Sequence, residues 1–125
     1  MLTKAEVFNE TARYLFSMKE QCVDSDENCL YRNDSGNRCA VGYWIDDNHP
    51  AASKTLVAGV KELINRFPKD GKHPLREEIY KYENLMRALQ CVHDDPCNWN
   101  FDGFSEYGKY SLKEVALRFK IKWTF

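Results

Sequence analysis

Leu75-Arg76-Glu77-Glu78-Ile79-Tyr80-Lys81-Tyr82-Glu83-Asn84-Leu85-Met86-Arg87-Ala88-Leu89-Gln90-Cys91-Val92-His93 carries the longest amphipathic pattern in the chain. Leu75, Ile79, Tyr82, Leu85, Met86, Leu89 and Val92 fall on one helical stripe, while Arg76, Glu77, Glu78, Lys81, Glu83 and Arg87 occupy the other faces. The pattern predicts a central helix over residues 75–93, stopped by Asp94-Asp95-Pro96. Such a stripe needs other elements to cover it, and the flanking sequence supplies them. Thr3 and Glu6 form a capping box ahead of Val7, Phe8, Ala12, Leu15 and Phe16, which predicts a helix over 4–20. From Ser53, the positions Leu56, Val57, Val60, Leu63, Ile64 and Phe67 repeat at helical spacing until Pro68 and Gly71. Ser111 and Glu114 form a second capping box, predicting a last helix over 112–119.

Between the first two helices, Cys29-Leu30-Tyr31-Arg32 and Arg38-Cys39-Ala40-Val41 read as short strands around the turn Asn33-Asp34-Ser35-Gly36-Asn37. A two-residue loop pairs Arg32 with Cys39; a three-residue loop pairs Tyr31 with Cys39 and puts Cys29 on the same face. Gln21 to Asn28 reads as an exposed connection, and Tyr43-Trp44-Ile45 as core. Residues 96–110 read as a loop anchored by aromatic rings, and Ile121 to Phe125 alternate like a strand. The expected fold is therefore α+β, a mainly helical single domain over 1–125 with a short β-hairpin packed on three to four helices.

Composition narrows the function. A chain of 125 residues with 43% hydrophobic and 14% aromatic side chains supports one core and not a disordered segment. No apolar run is long enough to span a bilayer and no secretory signal is recognisable at the start, so an intracellular, soluble protein is expected. The formal charge of −1 gives no overall attraction for nucleic acid, although residues 1–50 are acidic and the remainder basic. Lys109, Lys113, Arg118, Lys120 and Lys122 alternate with Tyr110, Phe119, Trp123 and Phe125 near the end, as in a phosphate-gripping tail or a solvated helix with one buried face. Ser111-Leu112-Lys113-Glu114-Val115-Ala116 resembles the first half of a helix-turn-helix, but too few residues follow for a recognition helix, and sequence-specific DNA reading is not expected. Phosphate-binding glycine loops and the HExxH metal motif are absent.

Five cysteines without a secretion signal point to reduced thiols, most of them packed as small hydrophobes. Cys91-x-His93-x3-Cys97, with Cys29 or Cys39 as a fourth donor, is the only arrangement with the makings of a zinc site. A helix running through it would set Cys91 and His93 about 200° apart, preventing joint ligation, and no metal or other cofactor is expected. Cys39 with His93 as base and Asp94 or Asp95 as orienting carboxylate is the candidate set for a cysteine hydrolase.

The segment Cys29-x-Tyr31-Arg32-x3-Gly36-x2-Cys39-Ala40-Val41-Gly42-x2-Ile45, followed by Leu89-Gln90-x2-His93-Asp94 and Trp99, resembles a family of small uncharacterised proteins encoded by bacteriophages and prophages. The resemblance implies a hairpin leading into a helical part and a protein acting in the bacterial cytoplasm during infection. The chain differs from that family in a shorter connection after Ile45 and in its Trp-bearing tail. The leading functional expectation is a non-catalytic protein that binds and modulates a host protein, a defence component among the candidates, through Trp99, Tyr107, Trp123 and Phe125, with Trp44 as a further candidate. Alternatively Arg32, Arg38 and Lys109 hold the phosphates of a small nucleotide or signal ligand while Tyr31 or Trp44 stacks its base. A homo-oligomer and the cysteine hydrolase stay open beside these, and no membrane partner is expected.

Overall fold

The computed structural model describes all residues, Met1–Phe125. Thr3 caps the first helix, α1 (Lys4–Ser17), through the full capping box: Glu6 N–H donates to Thr3 Oγ1 and Thr3 N–H to a Glu6 carboxylate oxygen. Its buried face is Val7, Phe8, Ala12 and Leu15. The helix ends at Ser17, where Met18 turns to extended backbone, three residues before the expected end.

The central stripe is broken. Residues Glu77–Lys81 form α3 and Glu83–Asp94 form α4, separated at Tyr82 (φ −111°, ψ 39°). Leu75 lies before the helix and donates its N–H to the Tyr80 hydroxyl, which itself donates to the Phe67 carbonyl. The Tyr82 hydroxyl donates to Leu2 O, tying the break to the start of the chain. All stripe residues except Tyr82 are nonetheless buried, because a bend between two short helices keeps one face toward α1 and toward the helices at Val60–Arg66 (α2) and Glu106–Arg118 (α5).

The helix expected from Ser53 survives only as α2 (Val60–Arg66). Upstream, Ser53 Oγ accepts the Thr55 N–H, a local bond that competes with helix formation, and Gly59 starts the helix that does form. Val57 is left exposed.

The expected hairpin shrinks to one isolated bridge, Arg32 with Arg38, and Cys29 bridges instead to Val23, in the stretch expected to be an exposed connection. Its register is the three-residue one, with Asn33 Oδ1 accepting the Ser35 and Asn37 N–H groups and Gly36 at φ +82°. The ladder stops there because Tyr14 OH takes both backbone groups of Arg38 and the following chain curls into a 3-10 turn, Gly42–Trp44. The two-stranded antiparallel sheet forms instead from β1 (Trp99–Asn100) and β2 (Gly103–Phe104), inside the segment expected to be a loop. The last helix, α5 (Glu106–Arg118), starts six residues earlier than expected, capped by Ser105. Ser111 is interior and donates to Asn98 Oδ1, and Gly108 is required because a Cβ there would collide with the Phe104 ring.

After α5, Lys120 adopts φ +56° and Ile121 N–H reaches back to Ala116 O, a Schellman-type stop. The tail is not a strand: one buried side chain, Asn9, donates to Lys122 O and accepts the Thr124 N–H. The elements enclose one cluster of 27 buried apolar residues, with Trp44 among them, its Nε1–H on Thr11 Oγ1 and the Arg76 guanidinium over its ring. The fold is α+β and mainly helical, and no helix is long and apolar enough to cross a membrane.

Candidate functional site

The densest polar cluster lies at the end of α4. Cys22 N–H donates to His93 Nε2 at 3.2 Å, so Nε2 is the unprotonated nitrogen and Nδ1 carries the hydrogen. Nδ1–H then donates to Asp94 Oδ1 at 2.9 Å, and Gln90 Nε2 donates to the same oxygen at 2.7 Å while Gln90 Oε1 accepts the Val41 N–H. Gln21 Nε2 and Trp99 Nε1 both donate to the His93 carbonyl. Three otherwise separate pieces, residues 21–22, residue 41 and β1, are thereby fastened to one turn of α4.

Cys29 stands beside this cluster, its sulfur within 4.8 Å of ligand atoms of His93 and Asp94. A metal ion on that trio would need the Nδ1 lone pair and a proton on Nε2, and Nε2 already faces the Cys22 N–H. The tautomer fits a hydrogen-bonded hub and not an ion site. The zinc reading built on Cys91, His93 and Cys97 fails for the geometric reason anticipated: α4 runs through Asp94, turning Cys91 to solvent and His93 into the core, and Cys97 is also exposed.

A thiolate nucleophile fares no better. Cys39 is completely buried, its sulfur accepts the Gly42 N–H, and burial pushes its thiol well above the ordinary range. It does not belong to the His93–Asp94 group; Cys29 does. Burial, then the neighbouring Asp94 charge and a hydrogen bond to Asp94, push the Cys29 thiol up to about 12, the direction opposite to activation.

Of the residues expected to grip a nucleotide, Arg32, Tyr31 and Trp44 are buried within the fold. Arg32 is buried, with Nη1 donating to the Tyr31 and Gly42 carbonyls and Nη2 to the Ile45 carbonyl and Asp47 Oδ1. Its charge is spent on closing the 31–47 loop. Tyr31 is buried with its hydroxyl on Ala58 O, and Trp44 is core. Arg38 is half-exposed near Asp47, and Lys109 lies apart on α5. These side chains make no shared pocket for phosphates and a base.

No family model, curated protein or solved structure matches the chain. Of the four aromatics expected at a partner interface, Trp99, Trp123 and Phe125 are half-buried against the core. Trp99 packs edge-on to His93 and Phe104, and Phe125 lies against Phe8 and Phe16. Tyr107 is 74% exposed and has company that sequence patterning missed: Tyr110 at 66%, Leu117 at 68%, and Phe101 fully exposed at the hairpin tip. Tyr107, Tyr110 and Leu117 fall within an arc of about 80° on α5. The missed signal was the Ser105 cap; with α5 starting at Glu106, Tyr107 and Tyr110 share a helix face with Leu117.

Proposed function

We propose that the chain is a non-catalytic binding protein whose partner is another protein, docked on the outer face of α5. The observation that carries this is the exposed Tyr107–Tyr110–Leu117 strip, on a chain that buries 27 other apolar residues. Tyrosine is enriched at interface hot spots, where its ring supplies contact area and its hydroxyl stays hydrated. Glu114 and Glu106 lie within or beside the arc of the strip and Arg118 and Lys113 border it, so the face carries both signs of charge around its apolar side chains. In keeping with the resemblance to phage-encoded proteins, the partner is a bacterial host protein met in the cytoplasm, with defence components the first to try. The thiol environments lend no support to the cysteine hydrolase reading.

The test uses the full chain immobilised against bacterial lysate, beside a variant with Tyr107→Ser, Tyr110→Ser and Leu117→Ser. These side chains are exposed, so the variant should keep the parent's unfolding transition to within about 0.5 kcal/mol each. The expected result is one protein captured by the parent and lost from the variant, which then forms a stoichiometric complex when purified. Retention of the partner by the variant, or self-association of the parent through this face in light scattering, would overturn the reading.

A further inference from the structure

On another side of the molecule, the starts of α1 and α2, the α3–α4 break and the residue after α5 enclose a depression of about 520 Å³. Lys4, Lys61, Lys81 and Arg87 line it, with Glu83 the single carboxylate. None of the four cations takes part in any ion pair of the structure. They come from four helices, so their convergence is made by the fold and not by a basic run in the sequence. The α3–α4 break at Tyr82 and the first turn of α4 form one wall. A neighbouring depression, lined by Arg87, Arg118 and Phe119, continues the basic surface without any carboxylate.

We propose that this depression is a binding site for the polyphosphate group of a small ligand. Unpaired cations brought together repel one another, and the arrangement becomes favourable when an anion of several charges joins them. A single carboxylate ligand would neutralise too little; adjacent phosphates meet several cations at once. The cavity lies in the size range of small-ligand pockets, and the half-buried Tyr82 and Phe119 rings line it. This site is separate from the α5 docking face and stands without it.

The experiment is calorimetric titration of the full chain at about 50 mM salt, where screening is modest. Inorganic triphosphate, ATP, adenosine and a long single-stranded oligonucleotide are the ligands, and the variant is Lys61→Gln with Arg87→Gln. Neither substitution breaks an ion pair, so the variant should unfold at the parent's temperature without ligand. The expected result is one saturable site for triphosphate or ATP, at least about tenfold weaker in the variant, unchanged in Lys113→Gln and undetected for adenosine. Equal affinity for triphosphate and ATP identifies a free polyphosphate end as the source of recognition; tighter ATP binding identifies a nucleotide. The proposal is overturned by no saturable binding, by equal affinity in the variant, or by binding confined to long oligonucleotides, which would make the surface a nucleic-acid path.

Discussion

Replacing Arg32 with methionine separates a structural arginine from a ligand-binding one. Methionine keeps the stem and removes the guanidinium, leaving the Tyr31, Gly42 and Ile45 carbonyls without their donor. A buried group stripped of its partner costs about 1–3 kcal/mol, which for three carbonyls sets an upper bound near 9. Gly42 O keeps the Ile45 N–H, which removes most of one share. The Asp47 carboxylate is largely exposed, so its ion pair adds less than about 1 kcal/mol. Removing a desolvated charge returns part of the loss. A destabilisation of about 3–5 kcal/mol remains, large against the 5–15 kcal/mol of an ordinary domain. Urea unfolding followed by tryptophan fluorescence reads it directly. Arg32→Lys should lose nearly as much, because one ammonium cannot span the Gly42 and Ile45 carbonyls as the planar fork does. A loss below about 1 kcal/mol in Arg32→Met would refute the carbonyl-cage account and return Arg32 to the pool of ligand residues.

Glu78 gives a pH-dependent case. Burial raises its carboxyl pKa, but the Leu2 N–H on Oε2 and the nearby Arg76 outweigh that and hold it below the ordinary value of 4.5. A depressed folded pKa stabilises above the unfolded value, and the stabilisation is lost as pH falls through the folded one. Glu78→Gln should therefore unfold about 1–2 kcal/mol more easily at pH 7, with the difference shrinking below about pH 4. The thiols give a count: at pH 8 a thiol reagent should label Cys91 and Cys97 rapidly. Cys22 and Cys39 are shielded, and burial pushes the Cys22 thiol up to about 12, so these two should react only after unfolding, when the count of labelled thiols reaches five. Rapid labelling of Cys39 in the native protein would restore the nucleophile reading.

Helix faces were legible in the sequence wherever a long apolar period met a capping box, as in α1. Breaks were less so. Nothing in the 75–93 period marks Tyr82, because the bend is held by a hydroxyl bond to Leu2 at the far end of the chain. The 29–41 pattern correctly named a turn and offered its register, yet could not show that Tyr14 and Arg32 would take over backbone groups a ladder needs. The start of α5 was hidden by Gly108, a helix breaker by propensity that is required by the Phe104 ring. The polyphosphate depression was not legible, since Lys4 and Lys61 lie far in sequence from Lys81 and Arg87 and only the packing of four helices brings them to one place.

The same difference explains why the functional residues shifted between sequence and structure. Segment 20–47 has almost no regular structure, so its backbone groups must be satisfied by side chains. Arg32, Asn33, Tyr14, Gln90 and the His93–Asp94 pair do that work, each bonded to main-chain atoms or to a group that is. Residue types that suggest chemistry in a sequence (Arg, His, Cys, Asp) are consumed here in holding an irregular loop, and no buried polar side chain is left without a partner. Groups free to meet another molecule are then those the loop does not need. They are the rings and leucine on the outside of α5, and the lysines and arginine around the α4 start.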